Sequence, residues 1–95
     1  MVKIAILLLT FHLPKSNSLK AKRKVSQSIV ARLRRKFNVS IAELGKENSW
    51  QILILGLSSI SNNGDRAAKV LDSALAYVQS MALDAELIQV EREVV

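Results

Sequence analysis

Cysteine is absent from this sequence of 95 residues, and histidine, tryptophan and tyrosine occur once each, as His12, Trp50 and Tyr77. Without thiols there is no disulfide and no cysteine nucleophile, which fits a reducing compartment. With one histidine, a zinc site would need a cluster of carboxylates that the sequence does not supply, and no other cofactor is implied. Glycine and proline together number four, too few for a disordered chain, so packed regular structure is expected. The glycines, Gly45, Gly56 and Gly64, stand apart. They form neither the GXXG clamp of KH domains nor a phosphate-cradling P-loop, since "SNNGD" lacks that loop's lysine and spacing. The glycine-rich signature around an active-site arginine that marks acylphosphatases is also missing. His12 closes an apolar run just before Pro14, a setting for a structural or loop role. An enzyme is not expected.

Acids are missing from the first 42 positions. Residues 1–42 carry ten basic side chains and no acid, whereas residues 43–95 carry four basic and eight acidic ones, which yields the net charge of +6. Such segregation implies a polyanionic partner, or a fold that brings the two halves together through acids such as those of "VERE". A long hydrophobic run is missing as well. "VKIAILLLTF" falls far short of the ~20 residues that span a bilayer. No small-x-small cleavage pattern follows it, so a cytoplasmic protein without membrane attachment is expected.

What is present reads as six elements in one domain over residues 1–95. Val2–Phe11 is apolar on both alternating faces, as a central strand is. "HLPKSNS" is loop chemistry, with Ser18 placed to cap a helix running to Phe37. In that helix Leu19, Ile29, Val30, Leu33 and Phe37 fall within about 100° of arc. "NVSIAELG" reads as a short strand, "GKENS" as a turn, and Trp50–Ser61 as a second two-sided strand, the pair forming a hairpin. After "NNGD", with Asp65 as cap, Ala67, Leu71, Ala74, Leu75, Val78 and Met81 recur at three and four residues, marking a second amphipathic helix. Ala85–Val94 aligns Ile88 with Val90 and turns charged at its end, which suits an edge strand.

The order βαββαβ defines an α+β, ferredoxin-like fold: a four-stranded antiparallel sheet with two helices on one face. Since the helices cover one face only, the residues alternating with Ile4, Ile6 and Leu8, and with Ile52 and Ile54, are expected on an open face. Self-association, or a partner docked there, is the expected cover.

The basic charge concentrates in "SLKAKRKVSQSIVARLRRKF". On a helical wheel Lys20, Arg23, Lys24, Arg34 and Arg35 form one stripe beside the apolar arc. Arg34, Arg35 and Lys36 lie in the last turn, where cations complement the macrodipole, so stability alone accounts for them. Lys20, Lys22, Arg23 and Lys24 lie at the opposite end, where each adjacent cation is disfavoured by a few tenths of a kcal/mol up to about 1, and no acid in the helix offsets them. A phosphate there would reverse the sign, because free N–H groups, the dipole and the cations would act together. Lys15 and Ser18 extend this candidate phosphate or nucleic-acid site, which thus comprises Lys15, Ser18, Lys20, Lys22, Arg23, Lys24, Arg34 and Arg35. No aromatic residue interleaves with the stripe, so recognition of structured RNA by backbone and shape fits better than base stacking.

"HLPKSNSLKAKRKV", "RLRRKFNVSIAEL", "WQILILGLSSISN" and "VEREV" together resemble the YlxP-like family of small bacterial proteins, in the same order over essentially the whole chain. The resemblance implies a ferredoxin-like fold, a cytoplasmic protein, no established activity and an association with the ribosome. Its SLK-x-KR motif falls on Ser18, Leu19, Lys20, Lys22 and Arg23. The leading expectation is therefore a non-enzymatic protein that binds structured RNA or the ribosome through its first helix. The alternative is an interaction module that self-associates through the open sheet face without binding nucleic acid.

Overall fold

Two strands of ten residues each, β1 (Lys3–His12) and β3 (Ile52–Ser61), pair along their whole length in the computed structural model, which describes residues 1–45 and 49–95. Around them the chain adds α1 (Leu19–Lys36), β2 (Ser40–Leu44), α2 (Gly64–Ser80) and β4 (Glu86–Val94). The strands form one antiparallel sheet in the order β2-β3-β1-β4 with both helices packed on it, the ferredoxin-like arrangement that the element order implies. Of the turn expected over "GKENS", Lys46, Glu47 and Asn48 lie outside the described residues. Gly45, at φ 93°, turns the chain out of β2 in the left-handed region that glycine adopts without strain.

Both central strands are apolar on both sides, as their composition requires, but the sides are assigned opposite to the sequence expectation. Ala5, Leu7, Leu9 and Phe11 of β1 and Leu53, Leu55 and Leu57 of β3 are at most 2% exposed. They form one core with Ile29 and Leu33 of α1 and with Ala67, Leu71, Ala74, Leu75 and Val78 of α2. Ile4, Ile6, Leu8, Ile52 and Ile54 therefore lie on the face away from the helices, only half-buried. Alternation divides a strand into two sets, yet nothing in a doubly apolar strand says which set the helices cover. The packing decides it, since Ala67 and Ala74 let α2 approach the Leu and Phe set closely.

Two further boundaries differ from expectation. The α2 N-cap is Asn63, in extended backbone at φ −131°, with its Oδ1 accepting from the N–H groups of Asp65 at 2.9 Å and Arg66 at 3.3 Å. Asp65 sits inside the first turn, where its charge suits the dipole. In β4, Thr10 stands opposite Gln89 but Phe11 opposite Leu87, so Ile88 is the extra residue of a bulge. Leu87 and Val90 pack on the core while Ile88 is 56% exposed.

The two faces differ enough to test by denaturation in urea. Leu9→Ala should cost about 2–5 kcal/mol, as for a fully buried leucine, whereas Ile60→Ala, at a position 70% exposed, should stay within about 0.5 kcal/mol. Similar costs at both positions would contradict the face assignment.

Candidate functional site

The loop before α1 is tied down by its own polar groups. The Ser16 N–H donates to the Leu13 carbonyl, the Ser16 hydroxyl donates to the Ser18 carbonyl at 3.2 Å, and the Gln51 amide reaches the carbonyls of Pro14 and Ser16. Ser18 caps the helix as expected, its hydroxyl accepting from the Ala21 N–H at 3.0 Å. The first turn of α1 contains no acid, and Arg34, Arg35 and Lys36 fill the last. Lys15 stands out in solvent with its ammonium 3.4 Å from an Asp84 carboxylate oxygen, an exposed pair of small energetic value.

Lys22 departs from the expected surface group. It is 4% exposed, and its ammonium donates to the Ser49 carbonyl at 2.8 Å and lies 3.8 Å from a Glu43 oxygen. The second Glu43 oxygen accepts from the Ser26 hydroxyl at 3.1 Å. Lys22, Ser26, Ile29 and Leu33 follow each other at spacings of four, three and four and are the buried residues of α1. Leu19, counted on the apolar face, is instead 37% exposed. The helical wheel carried this signal, because it places Lys22 within the apolar arc. Its charge braces α1 against the end of the β2–β3 hairpin and is turned away from solvent.

The other members of the set remain outside. Lys20, Arg23 and Lys24 are exposed at the start of α1, and Arg32, Arg34, Arg35 and Lys36 towards its end. Among the described residues none of these seven lies within salt-bridge distance of a carboxylate; the ion pairs present are Lys15–Asp84, Lys22–Glu43 and Arg92–Asp72, and the His12 ring lies 3.8 Å from a Glu86 oxygen. The acids of "VERE" do not meet the basic helix. Glu91 and Glu93 stand opposite Leu8 and Ile6 on the open face, and Arg92 between them pairs with Asp72 of α2. Arg34 makes one contact of its own, donating to the Ile41 carbonyl at 3.2 Å.

An aromatic residue lies beside the end of the basic run, at Lys36, which is not part of the stripe read from the sequence. Tyr77 of α2 is capped by the Lys36 ammonium, 4.4 Å from its ring centroid, and meets Phe37 edge-on at 5.7 Å. Spacing along one helix could not reveal a neighbour supplied by the other. Among the described residues no group of three or more His, Asp or Glu side chains could hold a metal ion, and no helix is long and apolar enough to cross a membrane.

A ferredoxin-like α+β protein whose first helix carries seven exposed cations unpaired among the described residues is thus the class defined by fold and surface. The chain belongs to the family described as protein of unknown function DUF503, whose pattern matches residues 4–92. It is 38% identical over 65 residues to the uncharacterized protein YlxP of Bacillus subtilis (strain 168), spanning 68% of this chain and 71% of that one. Among solved structures it resembles the de novo designed protein Foldit4, with a TM-score of 0.55 and 10% identity over 98% of this chain and 96% of that one. That likeness concerns the fold alone.

The division between inner and outer lysines makes opposite demands on stability. Lys22→Ala leaves the Ser49 carbonyl without its donor and takes the cation from beside the partly exposed Glu43, and should lower the unfolding free energy by about 1–3 kcal/mol. Lys24→Ala removes a cation from the unfavourable end of the helix dipole and should leave the melting temperature unchanged or raise it. Thermal melts of the two variants check both, and equal destabilisation would contradict the distinction.

Proposed function

We propose that this protein is a non-enzymatic, cytoplasmic binder of structured RNA, acting at the ribosome, that holds backbone phosphates against the outward face of α1. The observation that supports this reading is the set of seven exposed cations on α1 without a carboxylate partner among the described residues. Lys20 lies in the first turn, where the helix dipole disfavours positive charge, a cost that an anionic ligand would reverse, and Arg23 and Lys24 follow in the second turn. Without Lys22, the cations of the original set available to phosphates are Lys15, Lys20, Arg23, Lys24, Arg34 and Arg35.

Neutralisation of about six phosphates corresponds to a loss of roughly a thousandfold in affinity between 50 and 200 mM salt. Fluorescence anisotropy with a structured RNA measures this slope. Replacing Lys20, Arg23 and Lys24 together by alanine should weaken binding at least tenfold and flatten the slope by about three, one for each phosphate contact removed. Because all three side chains are exposed, folding should be retained. Unchanged affinity in this variant would sink the proposal.

The sheet face away from the helices favours a second reading, self-association without nucleic acid. Ile4, Ile6, Leu8, Ile52 and Ile54 lie on it together with Leu44, which is 44% exposed and packs towards Gly56 and Leu8. A continuous apolar surface of this kind is costly to leave in water. Sedimentation velocity at micromolar concentration should then show a dimer that Ile54→Lys converts to monomer. A monomer in the unmodified protein across that range would end the second reading.

A further inference from the structure

A second cationic feature lies at the other end of the molecule from the α1 N-terminus. The last pair between β2 and β3 is Ser40–Ser58, so β3 runs on for Ser59, Ile60 and Ser61 without a partner in β2. Where β2 is missing, the end of α1 and the start of α2 flank a cleft of about 570 Å³, within the range of small-molecule sites. Its polar lining includes Arg34, Asn38, Ser40, Ser59, Ser61 and Arg66, and no carboxylate contributes to it.

Ser59 is the residue that singles this cleft out. It points to the helix side of the sheet, in line with Leu53, Leu55 and Leu57, where every earlier member of the row is a leucine. Ser59 is only 6% exposed, and its hydroxyl has no hydrogen-bond partner among the described residues and no fully enclosed position; what it reaches is the cleft. That hydroxyl therefore keeps a proton and lone pairs that a group in the cleft can meet. Around it, the Ser61 hydroxyl accepts from the Asn63 N–H, which leaves its own proton to donate. Arg34 uses one N–H on the Ile41 carbonyl and keeps the rest of its fork, and Arg66 has no carboxylate within salt-bridge distance among the described residues.

The chemistry is that of donors converging on an anion: two guanidinium groups, which match the geometry of phosphate oxygens, with hydroxyls between them. The α2 N-terminus adds the positive end of its dipole, although Asn63 already occupies the Asp65 and Arg66 N–H groups. Asp65 in that turn is the one opposing charge, and it does not line the cleft.

We infer that the cleft between the ends of β2 and β3 binds a phosphate group, held by Arg34 and Arg66 and hydrogen-bonded by Ser59 and Ser61. The phosphate comes either from a small phosphorylated molecule or from a phosphodiester of an RNA strand lying along α1, of which Arg34 is the last cation facing the cleft. The site shares Arg34 with the RNA reading but does not rest on it, since Ser59, Ser61 and Arg66 lie outside α1.

Titration of the ¹⁵N-labelled full chain with inorganic phosphate, with sodium chloride at matched ionic strength as control, provides the test. Saturable amide shifts confined to Asn38–Ile41 and Ser58–Arg66 are expected, in the millimolar range. Arg66→Ala should weaken them at least fivefold, and Ser59→Ala should weaken them while keeping the melting temperature. The Lys20, Arg23 and Lys24 triple alanine variant should bind phosphate as the unmodified protein does, even if its RNA binding is lost. Parallel titrations with a nucleoside 5′-monophosphate and with an oligoribonucleotide lacking terminal phosphates distinguish the sources, and a response of these amides to either supports the site. Shifts that chloride reproduces, shifts spread evenly along α1, or affinity indifferent to Arg66→Ala would overturn it.

Discussion

The register between β1 and β3, from Lys3 opposite Ser61 to His12 opposite Ile52, is the constraint on which the rest of the molecule depends. Both strands are apolar on both sides, so a slip of one residue would change which side chains meet the helices without exposing an obviously polar row. What makes the observed arrangement unique is shape. Leu7, Leu9, Phe11, Leu53, Leu55 and Leu57 make a deep layer into which the alanine-bearing side of α2 fits. Once α2 is seated there, β4 takes the free edge of β1, and α1 is left to cover the β2 side.

That division of labour explains why α1 can be so highly charged. Ile29 and Leu33 are its only fully buried apolar side chains, and Lys22 and Ser26 complete the buried row by reaching Ser49 and Glu43. A helix anchored partly through polar contacts to the hairpin needs less apolar surface of its own. Its remaining faces are free to hold cations, and the fold sends the acids of β4 to the opposite side of the sheet instead of folding them over α1. Segregation along the sequence thus becomes segregation in space, which leaves the exposed cations of the helix without carboxylate partners among the described residues.

Much of this was legible in the chain. Periodicities of two and of three to four residues placed all six elements, and Ser18 announced its cap because a hydroxyl before an apolar-periodic run has a local task. The parts that were not legible depend on partners distant in sequence. Which side of β1 lies under the helices is decided by α2, and the bulge at Ile88 is decided by the register with Thr10 and Phe11. Tyr77 joins the basic run only through the meeting of two helices. Lys22 is the instructive case: its position on the wheel pointed inward, while its chemistry suggested the surface, and the oxygens of Ser49 and Glu43 that resolve the conflict lie more than twenty residues away. The serine-lined cleft was invisible for the same reason, since Arg34, Ser59 and Arg66 belong to three different elements.

The bulge in β4 also limits the geometry of assembly. With Ile88 unpaired and Glu91, Arg92 and Glu93 following it, this edge is bent and charged, a poor template for another strand. At the opposite edge β2 offers five residues, Ser40–Leu44. Neither border supports a sheet that continues from molecule to molecule. Self-association through this sheet, if it occurs, would therefore be face to face, each copy presenting the same patch to the other, and a pairing of that symmetry would close at two instead of growing into a filament.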